Sequence, residues 1–283
     1  MTRYVPPVTL REYKRGNSHY HLYFDGNNQR IPGVTTILSG GIPKPNLIDW
    51  AAKATAEGAV DRWDELSDLP PAKRYKALER IRYDSTNTAK NRGTDVHDIG
   101  ARIVTGQEVT DIPDILAPYV ENYIRFLDTY EVQPILIETV IVNYTLGYAG
   151  TLDLVADITS PLSGERERYL LDIKTGEKGV FAETALQLCA YRWAEYFLDN
   201  DGAEQPMIPV DAAAAVNVTT DDAVLVPCIT EKDARVVAGR TPMQLFQMAQ
   251  YLYAYDNEKD SLVAGPVRTE TTSKYRLTRE DQQ

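Results

Sequence analysis

The chain has 283 residues, of which 43% are hydrophobic, and this is enough to form a proper core in one large domain or two small ones. No apolar run reaches the roughly 18 residues of a membrane span, and the N-terminal stretch MTRYVPPVTLREYKRG lacks the apolar segment of a signal peptide, so a soluble, cytoplasmic protein is expected. The formal net charge of −11 argues against nucleic-acid binding by broad electrostatic attraction. It does not exclude a nuclease, because carboxylates that hold divalent cations also lower the net charge.

The first 130 residues are predicted to be mainly helical after an initial hairpin. Residues 19–37 place the turn Asp25-Gly26-Asn27-Asn28 between strand-like runs, which indicates the hairpin. Pro45-Asn46 is a helix start signal, and apolar residues recur at helical spacing from there to about Val60. Three more helices are predicted over residues 70–83, 85–105 and 113–130.

From residue 131 the pattern changes to strands. Three strands are predicted in the runs QPILIETVIVNY, AGTLDLVADI and RYLLDIKT, and a long helix follows over roughly 181–199. Two further strands, AAAAVNV and AVLVPCI, flank a turn at Thr219-Thr220-Asp221-Asp222, and a final helix covers about 242–256. This order predicts an α/β fold in a single domain of residues 1–265, divided into 1–130, a core of 131–230 and a helical part of 231–265, with a flexible tail at 266–283.

Two acids and a lysine are the strongest candidates for chemistry. The turn-rich segment 159–164 lies halfway between Asp153 and Asp172, so folding the strands back at that segment places the two acids nearly opposite each other. Opposed residues have Cβ atoms about 4.5–5.5 Å apart, which lets two carboxylates share one cation or hold two. Strand alternation puts Asp172 and Lys174 on one face of their strand.

This set suits phosphodiester hydrolysis. Carboxylates hold magnesium or manganese, the metal polarises the phosphate and activates a water, and an ammonium group orients or stabilises the reacting groups. The alternative is a surface Asp–Lys pair with an unrelated acid nearby, and for an Asp-x-Lys triplet taken alone this second interpretation is favoured.

Four other residues are weaker candidates. Glu138 interrupts an apolar strand, where it is either an additional ligand or an edge-strand residue that reaches solvent. His97 lies in a predicted helix, where a lone histidine is more often structural than a ligand. Gln187 and Tyr191 are four residues apart and share a helix face, either towards a substrate or within a packing stripe. Asp157 is assigned a structural role, and His19 and His21 are assigned no catalytic role.

The order of these motifs resembles the PD-(D/E)XK nucleases of the RecB-like type, including bacteriophage exonucleases. It runs RGTDVH, a strand Glu, GYAGTLDLVAD, LLDIKTGE and QLCAY, and covers roughly residues 92–197. The segment IPGVTTILSGGIPKPNLIDWAAKATAEGA is more loosely similar to the leading region of phage members. The resemblance implies a restriction-endonuclease-like core, a central mixed β-sheet flanked by helices, with the helical N-terminal region as a cover over the DNA channel.

The resemblance also implies roles for individual residues. His97, Asp153, Asp172 and the backbone carbonyl of Ile173 would be metal ligands, and Glu138 would match an acid that some relatives carry. Lys174 would be the catalytic lysine, and Gln187 and Tyr191 would position DNA or support the site.

One departure from the family pattern concerns cysteines. Several relatives hold an iron–sulfur cluster with four cysteines, which this chain cannot do alone because it has only Cys189 and Cys228. It also has no P-loop pattern, so unwinding of DNA would need a separate helicase or recombination protein as partner. The sequence carries no legible signature of an oligomeric interface.

The expected function is therefore a Mg²⁺- or Mn²⁺-dependent deoxyribonuclease, more specifically an exonuclease in phage or bacterial DNA recombination, replication or repair. It would act on DNA in the cytoplasm of a bacterial or phage-infected cell, without a membrane. The alternative is a DNA-binding or assembly module that keeps the nuclease fold without turnover. A third interpretation, an acidic globular protein with accidental motif matches, predicts that His97 and Asp172 lie far apart.

Overall fold

The computed structural model describes residues 3–15, 18–110, 112–228 and 237–262, and within these ranges the side chains of 14–15, 18–20, 84–91 and 261 are not described. The helices of this part are α1 Val34–Gly41, α2 Pro45–Asp61, α3 Trp63–Ser67, α4 Pro71–Val104, α5 Ala117–Thr129, α6 Glu183–Arg192 and α7 Pro242–Glu258. The strands are β1 Thr9–Arg15, β2 Ser18–Phe24, β3 Arg30–Ile31, β4 Gln133–Asn143, β5 Tyr148–Thr159, β6 Arg166–Lys174, β7 Tyr196–Leu198, β8 Glu204–Pro206, β9 Ala212–Val218 and β10 Ala223–Cys228.

The predicted mixed α/β fold is confirmed. Seven strands form one sheet in the order β10-β9-β6-β5-β4-β7-β8, and β1, β2 and β3 form a second, small sheet. All neighbours in the large sheet are antiparallel except β6 and β9, which are parallel. Parallel neighbours need a crossover connection, and the segment between these two strands includes α6. The connection that crosses from β6 to β9 therefore contains α6, β7 and β8.

The large sheet is buried between two helical layers. On one face, α4 and α5 contribute Val96 and Tyr123 to a cluster that includes Leu154 of β5. On the other face, α1, α6 and α7 bury residues such as Leu188 against Leu170 of β6. The run AAAAVNV of β9 is buried along almost its whole length, as expected for a central strand that is covered on both faces. The small sheet packs on β4 and β5 through a third cluster.

Sequence signals explain where several helices begin. Pro45 and Pro71 occupy the first turns of α2 and α4, where the missing N–H is not needed. Thr241 caps α7 by accepting a hydrogen bond from the backbone of Gln244, whose side chain accepts one from the backbone of Thr241. The predicted hairpin at Asp25, the strands β4, β5, β6, β9 and β10, and the helices α2 and α7 are confirmed to within a few residues.

Several predicted boundaries are wrong. Residues 70–83 and 85–105 form one continuous helix, α4, and not two. The helix predicted over 181–199 ends at Arg192, and the chain then enters the short strand β7. Part of the predicted first hairpin is the helix α1, and the strands β1 and β8 have no counterpart in the prediction. The helix predicted over 113–130 begins at Ala117, and the predicted tail 266–283 lies outside the described residues.

Candidate metal centre

The candidate site forms where strands β5 and β6 part. Their pairing runs from Thr159↔Arg166 to Leu154↔Leu171 and ends there, so Asp153 and Asp172 are the next residues on each strand. Instead of a further backbone pair, the backbone N–H of Ile173 donates to Asp153 Oδ2 at 2.7 Å. The two acids therefore lie opposite each other, as the spacing of the sequence predicts.

His97 reaches this fork from helix α4. Its Nε2 lies 2.7 Å from the carbonyl oxygen of Ile173, and its Nδ1 lies 3.4 Å from Asp153 Oδ2. Because a carbonyl oxygen only accepts, the short contact requires a proton on Nε2. Attraction between Nδ1 and the carboxylate then needs either a second proton on the ring or a cation between the two atoms. This arrangement brings together three of the predicted ligand groups.

Glu138 joins the cluster from the neighbouring strand β4. The pairs Ile137↔Leu154 and Thr139↔Leu152 flank it, which sets Glu138 beside Asp153 in the register. Its φ of 45° lies in the left-handed region, which is unfavourable for a residue with a side chain and is often found at functional sites. Ligand atoms of His97, Glu138 and Asp153 lie within 4.8 Å of one another. The structure thus gives Glu138 a position that suits a ligand, although the residue is also exposed to solvent in the open cleft.

The charges of the acids act on each other. Desolvation by the surrounding protein and the negative charges of Asp153, Asp98 and Asp172 raise the pKa of Glu138 to about 8. Burial likewise raises the pKa of Asp172 to about 6, against the opposing effect of the Lys174 ammonium. Repulsion among these carboxylates is therefore relieved when one of them takes up a proton, and a bound cation would relieve it as well.

Asp172 is held by residues of β6 and α6. Its side chain is 1% exposed, and Lys174 Nζ forms an ion pair with Asp172 Oδ2. Gln187 Nε2 donates to Asp172 Oδ1 at 2.7 Å and lies 3.3 Å from the hydroxyl of Tyr191, which is buried. Gln187 therefore contacts both the acid cluster and Tyr191, and Tyr191 also packs in the hydrophobic core.

These residues line a cleft of about 660 Å³. The lining also includes Thr94 and Asp98 on α4 and Gly150 on β5, which are not among the predicted site residues. His21 on β2, which the sequence assigns no catalytic role, lines the cleft as well. His21 Nδ1 lies 3.3 Å from the hydroxyl of Thr151, whereas the side chain of His19 is outside the described part. A Cβ at Gly150 would lie 2.6 Å from Tyr191 Cε1, so this close approach requires glycine. The position of Gly150 in the strand motif was the signal available for it.

Asp157 lies outside the cleft, as the sequence predicts for a structural residue. Arg168 Nε and Nη2 donate to its two carboxylate oxygens at 2.8 and 3.1 Å, a bidentate contact across β5 and β6. This pair holds the pKa of Asp157 below its usual value. The same hairpin therefore carries one acid paired for stability and two acids gathered at the fork.

The donor set fits a hard divalent cation. The cluster offers carboxylate oxygens, one backbone carbonyl and one imidazole, which suit magnesium or manganese, and none of the ligand groups gathered here is a thiolate. The residues present are thus compatible with the metal that the family resemblance implies.

Comparison with known proteins adds no family to these observations. No protein-family model matches the chain, and a search of curated proteins finds no match. Among the described residues, no helix combines the length and the apolar character that crossing a membrane requires.

Proposed function

We propose that the protein is a Mg²⁺- or Mn²⁺-dependent DNA nuclease that hydrolyses phosphodiester bonds. The observation that carries the proposal is the convergence of His97, Glu138, Asp153, Asp172 and Lys174 on one open cleft. These residues come from α4, β4, β5 and β6, so the grouping is a product of the fold and not of the sequence spacing alone. The same residues carry the resemblance to the PD-(D/E)XK nucleases of the RecB-like type.

The metal would be held by His97, Asp153, Asp172 and the carbonyl of Ile173, with Glu138 as a further acid. When bound, it supplies a Lewis acid for the phosphate oxygen and lowers the pKa of a bound water. This accounts for a negatively charged cleft in an enzyme whose substrate is an anion.

The protein's own groups orient the reaction. Lys174 places an ammonium beside Asp172 at the cleft, where it can stabilise negative charge that develops on the phosphate. Gln187 fixes the Asp172 carboxylate by a hydrogen bond, and the backbone N–H of Ile173 fixes that of Asp153. Both carboxylates are thus preorganised before substrate arrives.

Within this proposal the enzyme is an exonuclease in phage or bacterial DNA recombination, replication or repair. It works in the cytoplasm of a bacterial or phage-infected cell. Unwinding is left to a separate helicase or recombination protein, because this chain contains no P-loop pattern.

The test is cleavage of end-labelled single- and double-stranded DNA with Mg²⁺, with Mn²⁺ and with a chelator. We expect metal-dependent degradation that falls by at least about 100-fold in Asp172→Ala and Lys174→Ala, with far-UV circular dichroism unchanged. Asp157→Asn is the matched control, because it alters an acid on the same hairpin outside the cleft.

Full activity in either cleft variant contradicts the proposal. DNA binding without any metal-dependent cleavage by the wild type supports instead a binding or assembly module with a nuclease fold. Comparing linear with covalently closed circular DNA then separates an exonuclease, which needs an end, from an endonuclease.

A further inference from the structure

The first two-thirds of helix α4, residues 71–92, carry a net charge opposite to that of the whole chain. Residues 71–92 contain seven Lys and Arg residues but only two Asp and Glu residues, whereas the chain has a net charge of −11. Lys73, Lys76 and Arg80 are exposed, and no described acidic side chain forms an ion pair with them. Glu79 is the one exposed acid among the described residues of this stretch. Phosphate groups are the ligands that such clusters of cations bind.

These cations form a row that points to the cleft. An α-helix makes five full turns in 18 residues, so Lys76 and Thr94 lie on the same face of α4, as do Arg80 and Asp98. Thr94 and Asp98 both line the cleft. The basic row, defined as Lys73, Lys76 and Arg80, therefore lies about 21 to 32 Å from Thr94 along one helix face.

The opposite face of this segment is used for packing. Arg74 donates to the carbonyl oxygens of Leu66, Ser67 and Leu69, which ties α4 to α3 and the turn after it. A Cβ at Gly58 of α2 would lie 2.5 Å from Ile81 Cγ2, so the two helices approach closely. The basic row thus faces outward, while other residues of the same segment pack against α2, α3 and the turn after α3.

We propose that the basic row binds the phosphate backbone of a single strand of DNA and guides it into the cleft. This inference rests on the proposed nuclease function and names the form of its substrate. A row that is one side chain wide suits one backbone. At its cleft-proximal end Tyr83 is 47% exposed, with the Arg82 guanidinium 4.7 Å from its ring centroid. An exposed aromatic ring stacks on unpaired bases, which only a single strand offers.

The test compares two triple variants with the same change in net charge. One is Lys73→Ala/Lys76→Ala/Arg80→Ala, and the control is Arg125→Ala/Arg240→Ala/Lys259→Ala, which removes exposed cations from other elements. Binding of a labelled single strand of about 20 nucleotides is measured in a chelator as a function of salt, so that no cleavage occurs.

Three lost phosphate contacts are expected to weaken binding about 100-fold at 0.1 M salt. They are also expected to reduce the slope of log K against log salt concentration by about 2, from about 0.7 per contact on a single strand. The control variant is expected to stay within about 3-fold of wild type, because it lacks those contacts.

Equal weakening by both triple variants, or an unchanged salt slope, overturns the basic row as a binding surface. An equal loss for a blunt duplex of the same length overturns the assignment to a single strand. If the wild type binds through the row but cleaves nothing, the proposed nuclease function fails and the row stands. If the wild type cleaves DNA, and the basic-row variant binds and cleaves DNA as the wild type does, the proposed nuclease function stands and the basic row is not a binding surface.

Discussion

Asp153→Asn separates the role of the acid cluster in metal binding from its role in the fold. The Asp153 carboxylate accepts a hydrogen bond from the backbone of Ile173 and faces both His97 and Glu138. The Asn oxygen can still accept from Ile173, while one negative charge leaves the cluster. The metal-free variant is therefore expected to be no less stable than the wild type.

The expected magnitude is the rise in melting temperature that a bound metal ion causes. A cation that binds the folded state at 100 times its Kd stabilises it by about 2.7 kcal/mol. For a chain of this size, about 2 °C of midpoint shift accompanies each kcal/mol, so Mg²⁺ or Mn²⁺ should raise the wild-type Tm by about 5 °C. Asp153→Asn removes one ligand carboxylate, and the expected rise at the same metal concentration is below about 1 °C.

The assay is thermal unfolding followed by circular dichroism, with and without metal. The control is Asp157→Asn, the same change four residues along β5, which should keep the full metal-dependent rise although it loses its contact with Arg168. An equal rise in Asp153→Asn and wild type would refute the reasoning, because the cation would then bind elsewhere. A large loss of stability in the metal-free variant would show that Asp153 is structural.

Three further changes test other parts of the structure. The Tyr123 hydroxyl is buried with no hydrogen-bond partner among the described residues, so Tyr123→Phe should raise the free energy of unfolding by about 1 kcal/mol; a decrease in urea titrations contradicts this. Gly150→Ala forces a Cβ towards Tyr191 and should cost about 1–3 kcal/mol with reduced cleavage, which a variant of normal stability and activity would disprove. Pairing with Arg168 lowers the pKa of Asp157 from 3.8. Its stabilisation, about 0.5 kcal/mol for this partly exposed pair, is therefore present above pH 4 and lost as the pH falls through the lowered pKa. Wild type and Asp157→Asn should then converge in stability near pH 2, and a difference that persists there argues against the ion pair.

The strands and the acid pair were predictable because their signals are local. Alternation and apolar runs mark β4, β5 and β6, and the turn-rich segment 159–164 fixes the register of β5 against β6. Once that register is set, Asp153 and Asp172 must lie opposite each other. His97 was different, because no local pattern brings a helix that is more than 50 residues away to the same point. Only the order of motifs suggested it, through the family resemblance.

The wrong boundaries have causes outside the local sequence. The polar run Asp84-Ser85-Thr86 interrupts the apolar pattern of α4 and suggests a break, but it contains no proline or glycine and the helix continues through it. After Arg192 the chain leaves the predicted helix and pairs with the edge of the sheet instead. The backbone N–H of Glu195 donates to Val142, and Phe197 pairs with Ile141, so β4 gains a strand neighbour. Pairing with a sheet edge is a stabilising tertiary interaction, and the local propensities for helix or strand do not include it.

The sequence leaves the role of Glu138 open, although the strand that contains it, β4, is predicted correctly. A charged residue in an apolar strand fits both a ligand and a solvent-exposed edge, and alternation alone does not decide between them. The structure adds a left-handed φ of 45° and a register beside Asp153, neither of which the pattern of LIETVIV contains. The register depends on the shift between Pro134 and Leu136 in the pairing of β4 with β5, which the alternation of the sequence does not encode.

The net charge of −11 includes a basic segment, residues 71–92, as well as the acids of the cleft. Acids from β4, β5, β6 and α4 converge on the cleft, while the basic row Lys73, Lys76 and Arg80 lies farther out on the face of α4 that carries Asp98. Under the two proposals, a phosphate chain that approaches along the basic row would meet positive charge first and would reach the acids where a bound cation reverses their effect. According to these proposals, the DNA contacts the basic row first and the metal afterwards. Removing the metal should therefore abolish cleavage while leaving most of the salt-dependent binding in place, and loss of both together in a chelator would contradict it.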